Sequence, residues 1–212
     1  MTQSRMTVAE ILALGPVIPV VTVGDARGAV PLARALVEGG VRVIEVTLRT
    51  PAALDAIRRI AAEVPEAVVG AGTVLGADQV EAALEAGAAF LVSPGATEAL
   101  VAAARRAAAP LLPGAATVSE AMRLLEAGFA CQKFFPAAAA GGTAALAAIG
   151  APLPQIRFCP TGGISAADAG SYLRLPNVAC VGGSWLTPAE AVAAGDWGRV
   201  RALAQAAAAL RA

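Results

Sequence analysis

The chain has 212 residues, zero formal net charge, 57% hydrophobic residues and only 15% charged ones. That composition supplies one sizeable core, so residues 1–212 are expected to form a single domain, and with arginines never clustered beyond pairs no nucleic-acid-binding face is expected. There is no histidine, which excludes Ser-His-Asp and Cys-His mechanisms and argues against a transition-metal site.

In chain order, a helix over about residues 7–14 precedes a series of β-branched runs. These runs predict strands at 17–21, 41–46, 67–71, 89–92, 110–113, 130–134, 155–159 and 178–181. Alanine- and leucine-rich segments of helical period lie between them, and three close on glycine, at Gly39-Gly40, Gly87 and Gly128. Successive strand centres are 20 to 26 residues apart. Eight strands alternating with helices predict a parallel sheet, and their continuous apolar character predicts burial on both faces. The expected fold is an α/β (β/α)8 TIM barrel with an extra N-terminal helix. An open doubly wound sheet is the alternative, but Gly70-Ala71-Gly72 is followed by Leu75 where a third glycine would complete its fingerprint.

Cys131, Cys159 and Cys180 are odd in number, widely spaced and set in apolar runs, as buried thiols of a reducing compartment would be. No secretory signal is visible, and the longest uncharged stretch, 134–156, is broken by three prolines and three glycines. A cytoplasmic protein with no membrane partner is expected.

Fifteen of the sixteen basic residues are arginine, and the one lysine, Lys133, lies within the apolar run FACQKFFP. An amine withdrawn from water favours its neutral, nucleophilic form, so Lys133 is a candidate Schiff-base nucleophile. Taken alone it is more readily a lysine whose stem packs while its ammonium reaches water. Catalytic groups of a barrel sit at the C-terminal ends of strands. There the sequence places Glu45 to Arg49, Gly72-Thr73, Ser93, Lys133, Thr161-Gly162-Gly163 and Gly182-Gly183-Ser184. The strand period puts Val43, Glu45 and Thr47 on one face, and Cys131, Lys133 and Phe135 on one face. If both faces point inward, Glu45 and Lys133 meet at the mouth, with Arg49 near the rim. Glu45 is by itself as compatible with an ion pair as with acid/base work. Paired glycines after the last two strands suit phosphate bound by backbone N–H groups, and Ser165 is placed to cap the helix that follows.

Five segments, GGVRVIEVTLRT (39–50), VGAGTV (69–74), KFFPA (133–137), RFCPTGGI (157–164) and GGSWL (182–186), closely resemble the bacterial 2-keto-3-deoxy-6-phosphogluconate (KDPG) aldolases, a class I aldolase family. The resemblance covers nearly the whole chain. It implies that Lys133 is the Schiff-base lysine and Glu45 the acid/base, and that Arg49 and Thr73 hold the pyruvate-like carboxylate. It also implies that Gly162, Gly163, Gly183 and Ser184 cradle a phosphate and that Phe135 and Thr161 line the substrate. The implied reaction is reversible, cofactor-free cleavage of KDPG to pyruvate and glyceraldehyde 3-phosphate by a homotrimer. The galactonate-derived epimer and 4-hydroxy-2-oxoglutarate are alternative substrates within the same chemistry. A phosphosugar isomerase and a non-catalytic phosphosugar-binding barrel are alternatives outside it. One departure is Ala138-Ala139-Ala140-Gly141-Gly142, where family members commonly read Glu-Ala-Asn-Gly-Gly.

Overall fold

The computed structural model describes residues 6–210. It begins with α1 (Val8–Leu12), whose start is fixed by a capping box in which Thr7 accepts from Glu10 N–H and Glu10 accepts from Thr7 N–H. The barrel proper follows as β1 (Val17–Val21), α2 (Ala29–Glu38), β2 (Val43–Thr47), α3 (Ala53–Glu63), β3 (Val68–Gly72), α4 (Ala77–Glu85), β4 (Phe90–Val92) and α5 (Glu98–Arg106). The fifth strand comes as two pieces, β5 (Leu111–Leu112) and β6 (Gly114–Ala115). Then come α6 (Val118–Glu126), β7 (Cys131–Phe134), α7 (Gly142–Gly150), β8 (Arg157–Pro160), α8 (Ala166–Leu173), β9 (Val181–Gly183), α9 (Ala189–Ala194) and α10 (Trp197–Ala208).

All strand pairings are parallel, in the order β5-β4-β3-β2-β1-β9 and β6-β7-β8. Two links join these sheets into a ring. The first is Pro113, which has no N–H to continue the ladder. Leu112 before it pairs with Val92, Gly114 after it pairs with Lys133, and Pro113 itself accepts a bond from Lys133 N–H at 2.8 Å. The second is a pair of bridges, Phe158 to Val178 and Thr161 to Gly182. The β9 side has one more residue between those bridges than the β8 side, a bulge that interrupts the ladder and delays the start of β9 relative to the predicted 178–181. The other predicted strands lie within two residues of the observed ones.

Three helices end in the same way. Gly40, Gly87 and Gly128 have φ of 89°, 93° and 84°, and the following residue bonds back five positions, as in Val41 N–H to Leu36 O. The left-handed residue turns each helix into the next strand, and glycine adopts it without strain. Each helix buries one stripe against the outer face of the barrel. In α3 this is Ala53, Ala56, Ile57 and Ile60, while Asp55, Arg58 and Arg59 form ion pairs on the solvent side. Burying such an isoleucine contributes about 1.5–3 kcal/mol. A second, separate core fills the barrel interior with Ile18, Val43, Phe90, Val92, Leu112, Cys159 and Cys180. Ile11 and Leu12 of α1 belong to that inner core and so close its N-terminal end. The opposite end stays open. Among the described residues no helix is long and apolar enough to cross a membrane.

Candidate active site

Inward alternation continues above the inner core and changes from apolar to polar. On β2, Val43 is followed by Glu45 and Thr47, and on β7, Cys131 is followed by Lys133. The two ionisable groups, 88 residues apart in sequence, meet with Lys133 Nζ 3.1 Å from Glu45 Oε1 and 3.5 Å from Oε2. Glu45 is 3% exposed and Lys133 5%, so the pair stands almost entirely out of water. Two charges there are tolerable because each is the other's partner. Space for the carboxylate comes from β3, where the missing side chain of Gly72 leaves the position that Glu45 occupies. Lys133 Nζ also lies 5.6 Å from the centre of the Phe135 ring.

Thiols lie around the lysine on the same interior face. Cys159 pairs in register with Lys133, and Cys180 belongs to the same inner core. A hydrogen bond with Cys159, together with burial, raises the Cys180 thiol well above its ordinary range. Burial likewise raises Cys131, against the opposing pull of Arg157. The Cys131 and Cys180 thiols therefore stay protonated.

At the rim beyond β2 and β3, exposed Arg49 donates from Nε to Thr73 Oγ1 at 3.0 Å. Thr73 holds φ at 60°, an uncommon conformation for a β-branched residue, and this turns its hydroxyl toward the guanidinium. Across the mouth, a cleft of about 310 Å³ is lined by Arg49, Phe135, Thr161, Gly162, Gly163 and Ile164, with Val20, Thr22 and Gly182-Gly183-Ser184 on the β1 and β9 side. Gly162 and Gly163 hold φ of 100° and 74°, a turn that presents backbone rather than side chains to the cleft. Its position is fixed from below, since Ala137 and Ala138 N–H bond the carbonyls of Thr161 and Gly162 at 2.8 and 3.0 Å. The turn leads into α8, which Ser165 caps by accepting from Asp168 N–H. Ala138 stands against Gly163, so the departure from the family pattern falls at this edge of the cleft.

The structure therefore brings together Lys133 with Glu45, Arg49 with Thr73, and Arg49 with Phe135, Thr161, Gly162, Gly163, Gly183 and Ser184. A larger cleft of about 910 Å³ lies beside it, between the end of β1 and α9, and shares Val20, Thr22 and Ser184. Its other lining residues are mostly aliphatic, and unlike the smaller cleft it borders neither Arg49 nor the glycine turn at 162–163. Sequence reasoning did not single out Thr22 or Ile164 as lining the cleft. The signal for Thr22 was available in the alternation Ile18, Val20, Thr22 along β1. Among the described residues no group of three or more His, Cys, Asp or Glu side chains could hold a metal ion.

This arrangement has close counterparts among known proteins. Residues 8–203 match the family described as KDPG and KHG aldolase. The KHG/KDPG aldolase of Escherichia coli K12 is 56% identical over 201 residues, covering 95% of this chain and 94% of that protein. The 2-dehydro-3-deoxy-phosphogluconate aldolase of Pseudoalteromonas atlantica is 52% identical over the same shares. The crystal structure of KDPG aldolase from Legionella pneumophila, with pyruvate captured at low pH as a covalent carbinolamine intermediate, superposes with a TM-score of 0.93 at 46% identity, covering 95% of this chain and 98% of that one. A buried lysine–glutamate pair at the open end of a parallel barrel, carried by a sequence this similar along nearly its whole length, places the chain in the KDPG/KHG aldolase family.

Proposed function

We propose that this carbon–carbon lyase cleaves 2-keto-3-deoxy-6-phosphogluconate reversibly to pyruvate and glyceraldehyde 3-phosphate, through a Schiff base on Lys133. The observation that carries the reading is the buried contact of 3.1 Å between Lys133 Nζ and Glu45 Oε1. Transfer of one proton across that contact leaves an amine and a carboxylic acid, both neutral in a site that excludes water. The amine then attacks the C2 ketone, and Glu45 supplies the proton that lets the hydroxyl leave as water. The resulting iminium accepts the electron pair of the C3–C4 bond, so neither a metal nor an organic cofactor has a step to perform. Glu45, now a carboxylate, takes the proton of the C4 hydroxyl as that bond breaks and the aldehyde departs. Protonation of the enamine at C3 and hydrolysis of the imine release pyruvate and restore the lysine.

The rim residues fit the remaining groups of the substrate. Arg49, oriented through Thr73, suits the keto-acid carboxylate, because a guanidinium fork bonds two carboxylate oxygens. The glycine turn at 162–163, with Gly183 and Ser184 opposite, offers backbone donors to the phosphate. Phe135 and Thr161 form the wall between these two ends. The sequence similarity favours the gluconate-derived substrate, with cleavage of 4-hydroxy-2-oxoglutarate as a second activity of the same pair.

The proposal takes residues 1–212 as one barrel domain that works in the cytoplasm as a homotrimer. Three free thiols support a reducing compartment. Leu75, Val118 and Met122 are 60%, 43% and 46% exposed, apolar surface that a subunit contact would cover. Borohydride reduction in the presence of pyruvate tests the chemistry. One reduced pyruvate adduct per chain is expected, on Lys133, and none in Lys133→Ala. An adduct elsewhere, or none, refutes the assignment. A panel of substrates with and without the 6-phosphate then tests the cradle.

A further inference from the structure

The end of β1 brings a threonine to the cleft that no part of the chemistry above employs. Ile18, Val20 and Thr22 alternate toward the barrel interior, and Thr22 lines the cleft beside Thr161, Gly162 and Gly183. Its Oγ1 lies 3.0 Å from Thr47 Oγ1. Thr47, fully buried, is itself 3.0 Å from the carbonyl oxygen of Val21. A carbonyl only accepts, and a threonine hydroxyl has a single proton. The proton of Thr47 therefore goes to Val21 O, and the proton of Thr22 goes to Thr47. Thr22 Oγ1 is left with lone pairs alone, at the surface of the cleft.

We propose that Thr22 is a specificity-determining residue, whose oxygen accepts a hydrogen bond from the hydroxyl on C5 of the substrate, the C2 hydroxyl of the aldehyde product. The proposal rests on the aldolase reading above. An oxygen that can only accept discriminates among the polar groups of the substrate. The carboxylate and the phosphate present acceptors and cannot bond to it. The C4 hydroxyl gives its proton to Glu45. The donor that remains is the C5 hydroxyl, which lies between C4 and the phosphate-bearing C6. The position of Thr22 has the same order. β1 pairs with β2 through Val20 and Glu45 on one side, and with β9 through Pro19 and Gly183 on the other. Thr22 thus stands between the strand that carries the base and the strand that borders the phosphate cradle. The bonds run in one direction, from substrate hydroxyl to Thr22, to Thr47, to the Val21 carbonyl, so each strengthens the next.

The test compares two aldehydes in the synthetic direction with pyruvate, D-glyceraldehyde 3-phosphate and 3-oxopropyl phosphate, which lacks the hydroxyl. Because the mouth is open, an unused Thr22 oxygen meets water, and the discrimination expected from one neutral hydrogen bond is about tenfold. In Thr22→Val the ratio of kcat/KM between the two aldehydes should fall about tenfold, with the loss confined to the hydroxylated one. Thr22→Ser should restore the ratio. Thr47 keeps Val21 O as its acceptor in both variants, so neither leaves a buried group unpaired, and melting temperature verifies this. An unchanged ratio, or equal losses on both aldehydes, overturns the role of Thr22. A parent enzyme that forms no pyruvate adduct and joins neither aldehyde overturns the aldolase reading and this proposal together.

Discussion

Gly72→Ala offers a direct test of whether the position of the Glu45 carboxylate matters to the chemistry. Gly72 sits at the end of β3, in register with Thr47, and its backbone lies outside the left-handed region, so alanine is conformationally allowed. A Cβ placed there would lie 2.2 Å from Glu45 Oε1, 2.6 Å from Cγ and 2.8 Å from Cδ. Non-bonded heavy atoms need more than 3 Å, so the carboxylate must retreat by about 1 Å. Lys133 is on β7, across the barrel, and need not move. The displacement moves Oε1, the atom that makes the 3.1 Å contact with Nζ, from its place. A misplacement of about 1 Å in a reacting group costs on the order of a hundredfold in rate. Overpacking should also cost about 1–3 kcal/mol of stability, or roughly 2–4 °C of melting temperature per kcal/mol for a chain of this size. KDPG cleavage, followed through reduction of the pyruvate released, should fall about a hundredfold, while exhaustive borohydride trapping still reaches one pyruvate adduct per folded chain. Turnover within a few fold of the parent in a folded variant would show that catalysis does not depend on where Glu45 is held.

Glu45→Gln should keep the shape of the site and lower turnover by about a hundredfold to ten-thousandfold, the range for loss of a general acid/base. A lower melting temperature with nearly normal pyruvate proton exchange would instead make Glu45 an ion-pair partner only. The capping box of α6 predicts a pH effect on stability. Glu120 accepts from the N–H groups of Ala116 and Thr117, both at 2.9 Å, and the Ala116 bond above all holds its carboxyl below the ordinary value of 4.5. A carboxyl lowered in the folded state stabilises fully above its unfolded value, and that contribution is lost as pH falls through the lowered folded value. Glu120→Ala should therefore melt below the parent at pH 7 by the equivalent of about 0.3–1 kcal/mol, the range for an exposed carboxylate at a helix N-terminus, and the gap should narrow on acidification below the ordinary carboxylate range. A gap that stays constant with pH would remove the charge from the explanation.

Local chemistry wrote much of this molecule into the sequence. β-branched runs at regular spacing marked the barrel strands, and glycines at 40, 87 and 128 marked helix ends, because a left-handed turn favours a residue without a Cβ, although Ala108 adopts one at the end of α5. The one lysine in an apolar strand and the glycine pairs at the last two strand ends marked the candidate site only in combination, because a packed lysine stem or a Gly-Gly turn alone has an ordinary structural reading. Other features depended on which strands become neighbours. That Pro113 would divide one strand and hand the ladder from Val92 to Lys133 could not be read from a local run. The seat that Gly72 leaves for Glu45, and the hydroxyl relay from Thr22 through Thr47, each join residues from adjacent strands some 25 positions apart in the chain. Period two fixes which face a side chain takes, but only closure of the barrel fixes what it meets there. The sequence alone thus determined the elements, their faces and the chemical types available at the mouth. The tertiary structure decided their distances, because register and ring closure bring Lys133 and Glu45 within 3.1 Å across 88 residues of chain.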